Sequence, residues 1–283
     1  MPLILVPTPI GNLKDITLRA LEVLEAADLV ACEDTRRTLG LLNHLGLRKP
    51  LLSTHEHNEV RRIPEILRVL GEGKTVVLVS DAGTPGISDP GGQVLAAALA
   101  AGYEVDVLPG PNALIPALLL SGLDPRSFLF VGFLEGRPAA RRRRVRSLAD
   151  RPETLIFYLS PHHPEEDLAL WREELGDRPA AVVREISKVH QEALRGTLGE
   201  LLEAARGGRL RGELVGVVAG AEPPENSDVP DSLWQEEALR ELEEGGDWRA
   251  VVKSLGERYG IPKNRAKAFL WQRRGEESRN GPA

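Results

Sequence analysis

The sequence predicts an α/β fold in two lobes followed by a small helical appendage, and three observations lead there. Through the first part of the chain short apolar runs alternate with segments of helical periodicity, the pattern of a parallel sheet with right-handed crossovers. After Gly122-Leu123-Asp124-Pro125 the pattern changes and a second α/β unit begins. A polar, proline-rich stretch, Pro223–Pro230, then separates that unit from a helical end. The lobes are accordingly expected at 1–121 and 122–222, a linker at 223–231 and the appendage at 232–283, with Glu276–Ala283 disordered.

Element by element, Leu3–Val6 reads as a strand, followed by the turn Pro7-Thr8-Pro9-Ile10-Gly11-Asn12. Asp15 or Thr17 caps a helix whose apolar face holds Leu18, Leu21 and Leu24. Leu29–Cys32 is a second strand, and Thr38–Leu45 a helix stopped by Gly46. Leu51–Thr54 is extended, Arg62–Leu70 helical, Thr75–Val79 a strand, Gln93–Ala101 a helix and Glu104–Leu108 a strand. Asn112–Ser121 is an apolar helix. In the second unit Phe128–Phe133, Thr154–Leu159, Ala180–Glu185 and Leu214–Ala219 read as strands, with helices at Glu165–Glu174 and Leu198–Arg206. Asp247–Arg274 reads as helix, turn, helix, with Val251, Val252 and Leu255 on one apolar face.

Composition narrows the class of function. No apolar run approaches the roughly 20 residues that span a bilayer, so no membrane is expected. The start of the chain has no basic region and reads as a strand, not a signal peptide. A single cysteine, Cys32, excludes a disulfide framework and fits a reducing cytoplasm. The net charge of −6 means that any nucleic-acid contact must come from a local basic patch. Neither a dinucleotide fingerprint nor a P-loop nor a nucleophile elbow occurs.

The loop Ser80–Gly91 is the most informative segment. It joins a strand to a helix, the place where ligands sit in an open α/β sheet. It carries two carboxylates, Asp81 and Asp89, and no Lys or Arg, which argues for a ligand with hydroxyls or positive charge over a triphosphate. Glu33-Asp34-Thr35-Arg36 ends the second strand at the same sheet edge, as a helix N-cap with solvated charges or as a substrate-facing acid pair. His55 and His57 with Glu56 and Glu59 have the spacing of metal ligands, but no third ligand has a clear origin. They read better as a polar cleft lining, and no metal is expected. The run Arg137 to Arg146, dense in arginine and free of interleaved acids, is a solvated face or a partner for phosphates, and the second reading is preferred. The basic segment Lys263–Arg274 suits backbone contact with nucleic acid or a helical cap on the body.

Together these segments resemble the small-subunit ribosomal RNA cytidine 2′-O-methyltransferase family of the tetrapyrrole-methylase-like (class III) superfamily. The resemblance is carried by Val6 to Leu13, Cys32 to Arg36, His57-Asn58-Glu59, Ser80 to Gly91, Pro109-Gly110-Pro111, Tyr158 to His162, Arg184-Glu185 with Lys188, Gly212-Glu213 and Gly260 to Asn264. The chain departs from the family's usual Tyr-Glu-Ser-Pro-His-Arg by having Leu159 and His163. The resemblance implies a bilobal fold with S-adenosylmethionine in the cleft, no metal, a homodimer, and methylation of a cytidine ribose in the decoding region of 16S rRNA in the small ribosomal subunit.

On that footing the donor is expected at Pro9, at Asp81, Ala82, Gly83, Ile87, Ser88 and Asp89, and at Pro109, Gly110 and Pro111. The second lobe adds Tyr158, Arg184, Val215 and Ala219. RNA is expected at His55, Asn58 and Glu59, at Arg141, Arg142, Arg143 and Arg144, and at Lys263, Arg265 and Lys267. Glu33 or Asp34 is the expected proton acceptor, with Arg36 fixing the acid or a phosphate and Lys188 the next candidate. The rivals are a sibling methyltransferase acting on a tetrapyrrole or a protein, and a non-catalytic RNA-binding assembly factor.

Overall fold

A computed structural model describes residues 2–221, 230–243, 245, 247–261, 265–267 and 269–271. The chain divides into two compact units, Met1–Gly220 and Ala221–Ala283.

The first unit opens with β1 (Leu3–Leu5), α1 (Leu18–Ala26), β2 (Leu29–Cys32), α2 (Thr35–His44), β3 (Leu51–Ser53), α3 (Glu59–Gly71), β4 (Val76–Val79), α4 (Gly92–Ala100) and β5 (Val105–Val107). The strands form one parallel sheet in the order β3-β2-β4-β1-β5, as the alternating pattern predicts. Side chains alternate across it. Leu3, Leu5, Ala31, Val76 and Leu78 pack with Ile66 and Leu70 of α3 and Val94 and Ala98 of α4. Val6, Val30, Cys32, Val77 and Val79 pack on the other face with Ala20 and Leu24 of α1 and Leu42 of α2. Both faces are covered, which is why the strands read as unbroken apolar runs. Thr17, not Asp15, caps α1, its hydroxyl accepting from the Ala20 N–H. Because all five strands run the same way, the loops that follow them gather on one edge.

The helix α5 (Leu114–Ser121) follows β5 in sequence but packs on the second sheet, through Ala117 and Leu118 against Ile156, Val183, Val215 and Val217. The sequence reading counted it with the first lobe. A helix apolar all round has no periodicity to say which sheet it covers.

The second sheet is built from β6 (Phe128–Phe133), β7 (Thr154–Leu159), β8 (Pro179–Arg184), β9 (Glu192–Thr197) and β10 (Leu214–Val218), in the order β6-β7-β10-β8-β9. Only β6 and β7 are parallel; the other pairings are antiparallel. The helices α6 (Pro138–Arg146), α7 (Pro164–Leu175) and α8 (Leu198–Arg206) complete the layer. Strand β9 has no counterpart in the sequence reading. It is an edge strand whose Glu-Ala-Leu-Arg-Gly-Thr run puts only Leu194 into the core, so it looks like a polar loop.

In the second unit, α9 (Asp231–Glu243) and α10 (Trp248–Tyr259) enclose a core of Trp234, Ala238, Val251, Val252 and Leu255, joined by Ile261, Ala266 and Leu270. Gly260, in the left-handed region at φ 63°, ends α10 where the turn was predicted. Residue 222 and residues 223–229 of the expected linker lie outside the described residues, and Asp231 already begins α9. The segment Glu276–Ala283 also lies outside them. Among the described residues no helix is long and apolar enough to cross a membrane.

The core of the second sheet is filled at Gly216 of β10. Phe157 stacks on Trp171 with ring centroids 4.2 Å apart, and a Cβ on Gly216 would come within 2.5 Å of the Trp171 ring and 2.7 Å of Leu159 Cδ1. Overpacking of a filled core costs about 1–3 kcal/mol. Gly216→Ala should lower unfolding stability by that amount, read from the denaturant midpoint at unchanged slope.

Candidate active site

The loop Ser80–Gly91, at the carboxyl end of β4, is stitched to each of its neighbours. Thr8 and Gly83 exchange both backbone hydrogen bonds at 2.9 Å, an isolated bridge, and the buried Thr8 hydroxyl donates to Ser80 O at 3.1 Å. The Asp34 N–H donates to Asp81 Oδ1 at 3.0 Å, and Arg37 Nε lies 3.5 Å from Asp81 Oδ2. Thr84 Oγ1 donates to Pro111 O at 3.2 Å. Glu59 Oε1 accepts the N–H groups of Gly91, Gln93 and Val94 at 2.8–3.1 Å.

Against this loop and the near end of the second sheet lies a cavity of about 430 Å³, within the range of small-molecule sites. Its walls include Ile10, Asn112 to Ile115, Phe133, Leu159, Pro161, Ile186, Glu213 and Leu214. Of the expected donor residues, Ala82, Gly83, Ile87, Ser88, Asp89, Tyr158 and Val215 line it together. The others do not. Asp81 is turned to the start of α2, Pro9 and Pro109 are outside the lining, and Gly110 and Pro111 line an adjoining groove with Asp15 and Gln191. Arg184 Nε donates to Glu192 Oε2 at 2.9 Å, toward β9. Ala219 lies beyond the other end of β10, its N–H on Pro179 O. Four residues of strand separate it from Val215 by roughly 13 Å.

The sequence reading missed Ile10, Asn112, Phe133 and Ile186 because most of the wall is apolar. Such side chains carry the same signature as core. Asn112, directly after Pro109-Gly110-Pro111, was the one local cue. Backbone strain supplies another marker that no sequence pattern shows. Among the described residues the non-glycine positive φ values belong to Ser88 (61°), Glu185 (51°) and Ser187 (66°). Ser88 lines the cavity, and the other two flank Ile186, which does.

The charges divide into paired and unpaired acids. Asp34 is the N-cap of α2 and accepts from the Arg36 guanidinium at 2.7 and 3.1 Å and from the Arg36 N–H at 2.8 Å. These bonds, the side-chain ones foremost, hold its pKa down at about 2. Arg36 thus fixes Asp34, but an acid so stabilised as a carboxylate is a poor proton acceptor. Glu33 has its pKa raised, by burial first and then by Asp81, against the opposing charges of Arg37 and His55. Asp89, pushed up to about 6, owes this to burial and to the Glu33 charge, with a hydrogen bond from Ser80 opposing. Tyr158, raised to about 12 by burial and by Asp89, keeps its proton. Lys188 is not a neutral base. Burial works against its charge, but hydrogen bonds to Glu185 at 3.0 Å and Glu213 at 3.1 Å prevail, and its pKa is raised. Its stem lies against Gly11, where a Cβ would have no room.

The expected RNA residues scatter. Asn58 is spent on its own turn, accepting from the His55 N–H at 2.8 Å and donating to Ser53 O at 3.2 Å, and Glu59 is buried beneath α4. His55 stays near Glu33, half-buried. In α6, Arg141 pairs with the buried Asp167 of α7, and Arg142 and Arg146 pair with Glu173 and Glu174. Arg143 and Arg144 are exposed, with no ion pair among the described residues. In the second unit Arg265 pairs with Asp231 at 2.5 Å over the Trp234 ring, and Lys267 is exposed. Lys263 lies outside the described residues. Among the described residues no three His, Cys, Asp or Glu side chains converge as a metal site needs.

The chain matches the family model of tetrapyrrole (corrin/porphyrin) methylases over residues 2–202. It is 39% identical over 266 residues to ribosomal RNA small subunit methyltransferase I of Bacillus subtilis, covering 92% of this chain and 91% of the relative. It is 46% identical over 220 residues to the protein of the same name from Thermotoga maritima, covering 78% of this chain and 99% of the relative. Among solved structures it is similar to the cobalamin biosynthetic enzyme cobalt precorrin-4 methyltransferase, with a TM-score of 0.59 at 20% identity over 77% of this chain and 94% of that one. That likeness shows the fold alone. The parallel sheet, the cavity at its carboxyl edge and these matches converge, and the chain belongs to the tetrapyrrole methylase family, in the group of the small-subunit ribosomal RNA methyltransferases I.

Proposed function

We propose that the protein transfers the methyl group of S-adenosylmethionine to the 2′-hydroxyl of a cytidine ribose in the RNA of the small ribosomal subunit. The observation that carries the reading is the cavity, which sets the Asp89 carboxylate against apolar walls at the carboxyl edge of a parallel sheet. The names of the relatives support the substrate class. The residues present fit the donor. Ile10, Leu114, Phe133, Leu159 and Val215 suit its uncharged parts, and the Asp89 carboxylate suits its cationic ones. When bound, S-adenosylmethionine supplies a methyl group already activated on a sulfonium. A homodimer belongs to the same reading; β5 is an edge strand, and Val107 on it is 47% exposed.

What remains for the chain is alignment and proton removal. A ribose hydroxyl is a poor nucleophile until its proton is shared. Glu33, with its raised pKa at the end of β2, is the better-matched acceptor, since Asp34 is tied to Arg36. The exposed Arg143 and Arg144 of α6 meet phosphates, as guanidinium groups not already spent on α7.

The protein, labelled donor and small subunits from a strain lacking it should give label on a cytidine ribose, located by nuclease digestion and mass spectrometry. Label in a base, a protein or a tetrapyrrole would overturn the reading. In single turnover Glu33→Gln should slow the transfer about a hundredfold or more, with donor affinity kept.

A pH dependence follows from Asp89. Its pKa of about 6 means that, before the donor binds, the cavity presents a neutral acid below pH 6 and a carboxylate above it. A cation binds the carboxylate better, so donor affinity should rise with pH through 6 and level off, by calorimetry. Asp89→Asn should flatten that profile. For RNA, Arg143→Ala with Arg144→Ala should raise the KM for subunits. The slope of log affinity against log salt should fall by about 1–2, donor affinity staying as it was.

A further inference from the structure

Glu59 lies outside the cavity lining, yet it holds one end of the loop that forms it. The Ser80 end of that loop continues β4 and is fixed by Thr8. The Gly91 end enters α4, whose N-terminus has no side-chain cap of its own. The missing acceptor comes from Glu59, the first residue of α3 and only 4% exposed. Its Oε1 receives the N–H groups of Gly91 at 3.1 Å, Gln93 at 2.8 Å and Val94 at 3.0 Å. An anion on a helix N-terminus is favoured by the aligned peptide dipoles, and a charge-assisted hydrogen bond is about twice as strong as a neutral one.

The backbone turn before Glu59 is itself fixed. Asn58, beside it in sequence, is tied to His55 and Ser53, so the turn that delivers Glu59 has one shape. Between this anchor and the cavity stand few residues. Gly86 N–H donates to Pro90 O at 3.2 Å, closing the loop on itself, and Ser88 sits at a left-handed φ of 61°. A serine in that region needs its surroundings to keep it there. Asp89 lies between the strained Ser88 and the anchored Gly91, with Glu33 of the β2 end, Asp81 of its own loop and Tyr158 of β7 as the ionisable groups near it.

We propose that Glu59 is a positioning residue for the donor cavity: by fixing Gly91 and the first turn of α4, it holds Ser88 and Asp89 in the cavity wall. The proposal rests on the reading of that cavity as the S-adenosylmethionine site. It gives Glu59 a role inside the protein in place of the RNA contact expected of it.

The test measures S-adenosylmethionine affinity by calorimetry from pH 5 to 8, with thermal unfolding alongside, for the parental chain, Glu59→Gln and Glu59→Ala. Glu59→Gln keeps an acceptor oxygen and should fold, with donor affinity severalfold weaker and the pH midpoint of binding displaced. Glu59→Ala should weaken the donor about tenfold or more, as misplacement of site groups does. In both, the donor KM should rise more than kcat falls at saturating donor. Parental affinity and midpoint in folded Glu59→Gln, even with a lowered Tm, would overturn the proposal, since Glu59 would then serve stability alone. A parental protein that binds no donor at any pH would overturn the reading of the cavity, and this proposal with it.

Discussion

The constraint on which the site depends is that an irregular loop, packed against the carboxyl edge of a sheet, has no ladder of its own to satisfy its backbone. An unpaired buried N–H or C=O costs about as much as a lost hydrogen bond. The loop Ser80–Gly91 meets that demand with Thr8 from the β1 end, which bonds the Gly83 backbone and Ser80 O, and with Glu59 from α3, which accepts the Gly91 N–H, while its own Asp81 and Thr84 side chains tie it to the Asp34 N–H and to Pro111 O. Each bond that satisfies the loop also fixes its position. The same interactions that make the loop tolerable therefore make the cavity wall rigid, and a rigid wall is what alignment of a donor and an acceptor requires.

Charge is handled by the same logic of spent and unspent groups. Asp34 is spent on Arg36 and the α2 N-terminus, Asp81 on the Asp34 N–H, Lys188 on Glu185 and Glu213, and Arg184 on Glu192. Their charges are balanced where they stand. Among the described residues Glu33 and Asp89 have no comparable ion pair; burial raises both, with Asp81 adding to it at Glu33 and Glu33 at Asp89. Acids whose pKa moves toward neutrality in a cleft are the ones available for chemistry or for a cationic ligand.

The arginine run shows how a sequence pattern misleads when the partner is distant. Read along the chain, it has no acids to neutralise it. In space, Asp167, Glu173 and Glu174 of α7 lie beside α6 and take up Arg141, Arg142 and Arg146. Among the described residues the run is part ion-pair seam and part exposed guanidinium, so fewer of its side chains are left for another partner than its density suggests. In the second unit Arg265 is likewise engaged, with Asp231 and the face of Trp234.

By itself the sequence determined the parallel sheet, since strands covered on both faces must be apolar throughout and the helices between them must be amphipathic. It also marked the loop Ser80–Gly91, which the structure shows lining a cavity, as the candidate ligand loop, because its glycines, prolines and acids are excluded from regular elements, and it placed Gly260 in the turn after α10 and narrowed the cap of α1 to Asp15 or Thr17. Tertiary structure decided what depends on partners far apart in the chain. It made Asn58 and Glu59 internal, took Arg184 and Ala219 away from the cavity, brought Ile10, Phe133 and Ile186 into it, and paired the edge strand β9 with β8. Local sequence records the chemistry of a side chain, whereas burial, charge neutralisation and pKa depend on neighbours that only folding supplies.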